Sequence, residues 1–162
     1  MVSALIADSH NLRMGARSAY GDGVQSPTEL AEAFRARGLK LTPQRHLLFR
    51  LLHDNTAHPS AEALFLAASE QMPGISLRTV YQTLNDLVTL GELQQIDFVP
   101  GSARFDPNLS DHQHLVCDAC GAVRDVHLPL SPGVSGETVA DFHIDSTTVV
   151  FHGRCGTCAA TD

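Results

Sequence analysis

Two matched pairs of cysteines place the strongest constraint on this chain. Cys117 and Cys120 form one C-x2-C, Cys155 and Cys158 form a second, and the sequence holds no other cysteine. At that spacing a tight turn can aim two thiolates at one metal ion. The first pair lies within His112–Asp125, HQHLVCDACGAVRD, where three kinds of metal ligand fall within fourteen residues. His112 and His114 are two apart, so on a strand their imidazoles point to the same face. Leu115, Val116 and Val123 give the stretch the pattern of a half-buried hairpin. The 34 residues between the pairs exceed the usual finger spacing, so a three-stranded sheet would have to return the second pair beside the first. Four thiolates with no open position make a closed tetrahedral zinc site, structural rather than catalytic. Disulfides or two redox pairs are the alternatives, although no Trp-Cys-x2-Cys or Cys-Pro pattern supports the redox reading.

The 162 residues suit one domain or two small ones, and a 43% apolar content is enough for a core. No apolar run is long enough to span a bilayer. The opening MVSALIADSHNLR has a short apolar patch but no basic leader, so a secretion signal is not expected. Paired cysteines without such a signal favour metal thiolates in a reduced, cytoplasmic setting. The net charge of −7 argues at first against nucleic acid. Its distribution qualifies that: residues 27–91 hold six Lys/Arg and six Asp/Glu, whereas residues 92–162 hold three and ten. Five of the eleven basic residues crowd into Arg35, Arg37, Lys40, Arg45 and Arg50. Such asymmetry is compatible with DNA contact through the N-terminal half alone.

Along the chain, residues 1–26 read as a disordered tail. Pro27–Arg37 reads as a short helix stopped at Gly38, and Thr42-Pro43 opens a second with Leu47, Leu48, Leu51 and Leu52 as its apolar stripe. Ser60 caps a third through Glu70. After Met72-Pro73-Gly74 comes the most informative helix, Leu77 to Leu90. Its Leu77, Val80, Leu84, Leu87 and Val88 occupy one sector roughly 100° wide, while Arg78, Tyr81, Gln82 and Asn85 gather in a separate polar sector. Helix, short turn and helix is the helix-turn-helix arrangement, and an Arg/Tyr/Gln/Asn face suits base edges and phosphates in a major groove. A plain helical hairpin with a solvated face is the bland alternative. Leu93–Val99 and Ala103–Asp106, joined by Pro100-Gly101-Ser102, then read as the hairpin wing of a winged helix. Residues 107–111 look like a hinge into a second domain with strands at 112–117, 122–128 and 145–151. The breakers in Ser131–Asp141 leave room only for a short helix, Glu137 to Phe142.

A second constellation combines nitrogen and oxygen donors: His58, Asp106, His112, His114 and Asp125. A lone H-x-H is usually a surface feature. Here it lies at the proposed hinge, with Asp106 just before it and Asp125 on the neighbouring strand. Imidazole with carboxylate suits iron(II), manganese(II) or zinc.

These residues carry a resemblance. LTPQR (Leu41–Arg45), AHPSAE (Ala57–Glu62), ISLRTVYQTLNDLVTLG (Ile75–Gly91), RFD (Arg104–Asp106), DHQHLVCDACGAVRDVH (Asp111–His127) and GRCGTC (Gly153–Cys158) stand in an order and spacing that resemble the ferric uptake regulator family. The likeness covers residues 28–158 and is greatest to the peroxide-responsive branch, which has aspartate at the positions of Asp106 and Asp125. It implies an α+β chain with an N-terminal winged helix-turn-helix domain (27–106), a hinge (107–111) and a small α/β dimerisation and metal-binding domain (112–162). It implies structural Zn2+ on the four cysteines, and Fe2+ or Mn2+ on His58, Asp106, His112, His114 and Asp125, with Zn2+ able to substitute in vitro. His58 and His112 match the histidines that iron and peroxide oxidise in that branch. The expected function is a metal-dependent repressor, a homodimer on an inverted repeat in double-stranded DNA, sensing hydrogen peroxide. A regulator of iron, manganese or zinc availability is the alternative. Arg45 is expected to position phosphates, with Ser76, Arg78, Thr79, Tyr81 and Gln82 as the other DNA contacts and Arg78 and Tyr81 as base readers. No histidine stands around Thr147, so the additional metal site of some members is expected to be missing. His127 is expected to be packing or second shell, and His143 and His152 to lie outside the sites. A hydrolase or oxidoreductase on the His/Asp cluster lacks any nucleophile motif or cofactor loop. A zinc-stapled interaction module leaves the Ile75–Gly91 pattern unexplained.

Overall fold

Hydroxyl side chains start each of the first four helices. The computed structural model describes residues 25–53, 55–97, 101–129, 136–144 and 147–160, so the expected tail up to residue 24 lies outside them. Helix α1 spans Pro27–Ala36, α2 Pro43–Leu52, α3 Ala61–Gln71 and α4 Leu77–Leu90. Ser26, Thr42, Ser60 and Ser76 each accept a bond from the backbone N–H three residues on, a donor with no partner inside the helix. Glu29 returns the bond to Ser26, closing a capping box. Gly91 ends α4 at φ +72°, where a Cβ would be strained.

The four helices pack on a core built from Phe34, Leu48, Phe49, Val80, Leu84 and Leu87, all 0% exposed, and Phe105 joins it from the strand that follows. Phe34 meets Phe49 edge-on, with ring centroids 5.0 Å apart. The two faces of α4 divide as its periodicity predicts. Leu77 and Val88 are half-buried at the margin of the apolar sector, and Arg78, Tyr81, Gln82 and Asn85 are exposed. Thr83, which the pattern did not mark, is fully buried and donates its hydroxyl to the Thr79 carbonyl at 2.7 Å.

Strands β1 (Gln94–Ile96) and β2 (Arg104–Asp106) pair antiparallel from Gln94↔Asp106 to Ile96↔Arg104. The first arm of this hairpin is thus shorter than the expected Leu93–Val99, of which residues 98–99 lie outside the described chain. Strand β3 (Gln113–Cys117) then pairs antiparallel with β4 (Val123–Val126) and parallel with β7 (Val150–Gly153), giving the order β4-β3-β7. Ile96, Val116 and Val123 form a second, much smaller apolar cluster. The helix expected at Glu137–Phe142 is instead a hairpin, β5 (Thr138–Val139) and β6 (Phe142–His143). Its two-residue loop, Ala140-Asp141, has φ of +49° and +64°, and this left-handed pair reverses the chain where a helix would have continued. Residues 131–135 of that insert lie outside the described chain. The single turn α5 (Gly156–Ala159) carries Cys158 and was not anticipated. Among the described residues, no helix is long and apolar enough to cross a membrane.

Candidate metal centre

The parallel β3–β7 pairing brings the two cysteine pairs together. Cys117 ends β3 opposite Gly153, two residues before Cys155. The four sulfurs lie within 4.8 Å of one another, and Cys120 Sγ stands 3.9 Å from Cys155 Sγ. Sulfurs about 2.3 Å from a shared tetrahedral centre would stand about 3.8 Å apart. All four cysteines are free thiols, so the spacing is that of a metal cage and not of a disulfide. The Cys155 N–H donates to Cys117 Sγ at 3.3 Å. That bond, with others from the backbone of Cys120 and Ala119, lowers the Cys117 thiol to about 6. Cys155, with its neighbours Cys120 and Cys117, pushes Cys158 up to about 12. Four thiolates this close do not ionise together without a cation between them, and the donor set fits zinc.

The second cluster draws on both halves of the chain. His58 precedes α3 and holds φ +47°, a left-handed conformation that is strained for a residue with a Cβ. Asp106 ends β2, His112 precedes β3, His114 lies on β3, and Asp125 faces His114 across the β3–β4 pair. One donor atom from each of the five falls within 4.8 Å of the others. His112 Nε2 is 3.0 Å from His114 Nε2 and 2.9 Å from Asp106 Oδ2, which is 3.2 Å from His114 Nε2. His58 Nε2 lies 2.6 Å from Asp125 Oδ1 and 3.7 Å from Asp106 Oδ2. Donors about 2.1 Å from one centre and at right angles to each other stand about 3.0 Å apart.

Outward-facing bonds aim these atoms inward. The Ser110 carbonyl can only accept, so His112 Nδ1 carries a proton to it at 2.7 Å and Nε2 is turned into the cluster. Asn108, which the sequence reading missed, ties both carboxylates: its N–H donates to Asp106 Oδ1 at 2.8 Å and its side-chain amide to Asp125 Oδ2 at 3.3 Å. Asp-Pro-Asn is a turn signal that could have pointed to it. Burial disfavours the Asp106 carboxylate, but bonds from His112, His114, His58 and the Asn108 backbone outweigh that and hold it well below the usual range. The bond to Asp106 in turn raises His112 to about 9 against the pull of burial. Burial also opposes charge on His58, and Asp106 and Asp125 overcome it, moving it up.

The pocket fits a divalent cation. Both ring nitrogens of His58 and Asp125 Oδ1 are buried without an aligned hydrogen bond, even though Nε2 and Oδ1 lie close. His58 Nε2 and Asp125 Oδ1 face each other, and such a pair is costly unless a cation between them accepts a lone pair from each. Two carboxylates balance a 2+ charge, and three imidazoles with no thiolate suit iron(II), manganese(II) or zinc. Asp125 is the most accessible of the five, with its side chain 22% exposed against 1–3% for the others. It lines an open groove with Thr56, Ala57 and Arg124. His127 stays exposed, its ring centroid 6.0 Å from that of His112, while His143 and His152 lie away from the cluster.

On α4 the residues expected to meet DNA divide by role. Ser76 is the N-cap, and its hydroxyl also meets that of Thr79 at 2.9 Å. Arg78, Tyr81 and Gln82 stand exposed on one face. Arg45 has partners within the chain. Its guanidinium pairs with Asp86 of α4 at 2.5 Å, donates to the Lys40 carbonyl at 2.9 Å and lies 4.9 Å over the Phe34 ring. That geometry ties α2 to α4.

Known proteins share the family pattern and the fold. The family model of the ferric uptake regulators matches residues 36–158. The chain is 31% identical over 132 residues to the peroxide-responsive repressor PerR of Staphylococcus epidermidis, covering 80% of this chain and 88% of that one. It is similar in fold to the Helicobacter pylori ferric uptake regulator, with a TM-score of 0.71, 19% identity and coverage of 86% and 97% of the two chains. The Campylobacter jejuni peroxide stress regulator superposes with a TM-score of 0.59 at 26% identity, covering 80% of this chain and 99% of that one. The chain belongs to the ferric uptake regulator family.

Proposed function

We propose that this protein is a metal-dependent transcriptional repressor that responds to hydrogen peroxide. The observation that carries the reading is the convergence of five donors from both halves of the chain on one buried point. A cation held by His58 and Asp106 on one side and by His112, His114 and Asp125 on the other ties a DNA-binding unit (27–106) to a dimerisation unit (112–162) across the segment 107–111. It thereby favours one relative orientation of the paired α4 helices. Zn2+ on Cys117, Cys120, Cys155 and Cys158 is structural; Fe2+ or Mn2+ occupies the other cluster. A homodimer so arranged meets two half-sites of an inverted repeat. Arg78 and Tyr81 read bases, with Ser76, Thr79 and Gln82 beside them. The protein works in the cytoplasm as a regulator and not as an enzyme.

His58, Asp106, His112, His114 and Asp125 would hold the metal, and iron(II) held there would supply the electrons to reduce peroxide. The chain supplies the rest. Ser110 holds the His112 ring with Nε2 inward, and Asn108 fixes both carboxylates. The groove at Asp125 gives a small neutral solute its approach. His58, which lies next to Asp125, and His112 are the side chains on which oxidation would loosen the tie.

The test is fluorescence anisotropy on an inverted-repeat duplex selected by the wild-type protein from a randomised pool. Iron-loaded protein should release the duplex after stoichiometric peroxide, with added oxygen on His58 or His112 by mass spectrometry, and manganese-loaded protein should not. Binding that follows free metal but survives peroxide would leave a metal-availability regulator. Binding indifferent to metal would refute the repressor.

A further inference from the structure

One chain of contacts joins the exposed face of α4 to the five-donor cluster. Tyr81 donates its phenol O–H to Glu62 Oε1 at 2.6 Å. Glu62 stands in the first turn of α3, two residues after the cap Ser60. Ser60 faces Arg104 in an isolated antiparallel bridge, and the Phe105 N–H donates to the Pro59 carbonyl at 3.0 Å. In that antiparallel register His58 falls opposite Asp106. The same short pairing therefore carries two of the cluster's donors at one end and leads into Glu62 at the other. Arg104 occupies the space between: its charge acts on Glu62, and its Nη2 lies 3.8 Å from where a Cβ on Gly121 would stand. An acidic side chain beside a DNA-facing helix repels phosphate, so Glu62 calls for a reason to be there, and Tyr81 provides it.

We propose that Glu62 is a positioning residue for sequence readout, fixing the Tyr81 phenol and coupling it, through the Ser60–Arg104 pairing, to His58 and Asp106. The proposal rests on the repressor reading above. A cation drawn between His58 and Asp106 holds the two segments in register. That register sets where Glu62 Oε1 lies and hence where the Tyr81 ring is offered to a groove. Release of the cation frees the register, and Tyr81 loses its fixed partner.

The experiment compares wild type, Glu62→Ala, Glu62→Gln, Tyr81→Phe and the Glu62→Ala/Tyr81→Phe double variant on the selected duplex, each manganese-loaded and chelator-treated. Glu62→Ala should lose about ten-fold of the metal-dependent gain in affinity. Tyr81→Phe should lose a similar share and the double variant little more, since both break one contact. Glu62→Gln keeps an acceptor oxygen and should recover most of the loss. Ultraviolet titration gives an independent readout, because the chain has only two tyrosines. The bond to Glu62 raises the Tyr81 phenol above its ordinary value, so its titration should move down in Glu62→Ala. Equal metal-dependent gains in wild type, Glu62→Ala and Tyr81→Phe would overturn the coupling, as would strictly additive losses. Should Glu62→Ala fail to fold, an undiminished gain in Tyr81→Phe still overturns it. Wild-type binding indifferent to metal would refute the repressor reading itself, and the coupling with it.

Discussion

Replacing Arg45 with Met tests whether this guanidinium is a strut or a phosphate contact. The change keeps most of the aliphatic stem and removes three interactions: the Asp86 pair, the Lys40 carbonyl bond and the stack on Phe34. A charge-assisted hydrogen bond contributes about 1.5–3 kcal/mol and a partly exposed cation–π contact about 0.5–1. The side chains of Arg45 and Asp86 are 11% and 24% exposed, so water recovers part of that. A net loss of about 2 kcal/mol is expected, or roughly 4–8 °C in Tm for a chain of this size. In a double-mutant cycle with Asp86→Ala the coupling should be about 1 kcal/mol. Duplex affinity is then measured over a range of salt. A strut leaves the slope of log K against log salt unchanged, whereas a phosphate contact lowers it by about 0.9. A Tm within a degree of wild type together with a slope reduced by about one would refute the strut.

Asn108→Ala removes the side-chain bond to Asp125 and should weaken metal binding by about 10–100-fold in a chelator competition; a change under two-fold would mean that Asp125 orients itself. Proton linkage follows from His112. Its folded value of about 9 lies above the ordinary 6.5, so in chelator-treated protein its stabilising contribution is full below 6.5 and is lost as pH rises through about 9. Tm of that protein should fall over this window, and metal binding near pH 7.5 should release about one proton, by calorimetry in buffers of different ionisation enthalpy. No proton release would remove His112 from the donor set. Cys120→Ser should abolish zinc retention and strip hydrogen-exchange protection from β3, β4 and β7 while α1–α4 stay protected, because a zinc cage contributes about 10 kcal/mol or more. Unchanged protection in zinc-free protein would show that the small sheet stands without it.

What could be read from the sequence was what repeats or caps. The 3.6-residue period of Leu77–Leu90 and the hydroxyls at Thr42 and Ser60 announce their helices through local physics alone. The five-donor cluster was legible as a set because His112-x-His114 and Asp125 belong to one hairpin with Asp106 just before it, and His58 was named with them on donor type. Asn108 was not legible, since its role depends on Asp106 and on Asp125, the latter 17 residues from Asn108 in sequence, meeting in space. The Arg45–Asp86 pair was hidden for a related reason: a basic residue in a basic patch looks free until its partner, 41 residues on, is seen. The hairpin at 138–143 escaped because a two-residue stretch of strand carries no period to detect, and its turn is Ala-Asp rather than a glycine pair.

The parallel pairing of β3 with β7 has a consequence for how the molecule comes into being. Each of the helices α1 to α4, like the β3–β4 hairpin, forms from bonds between near neighbours, and such contacts form quickly. His114 must instead find Val150, 36 residues further on, before the second sheet is complete. Closing so long a loop is slow, and the reward waiting in the apolar cluster of Ile96, Val116 and Val123 is small. The single helices and the β3–β4 hairpin are thus ready early, and the β3–β7 pairing arrives late. Between those two moments His114 and Asp125 already face each other on one hairpin, while Cys155 and Cys158 have yet to find their places beside Cys117 and Cys120.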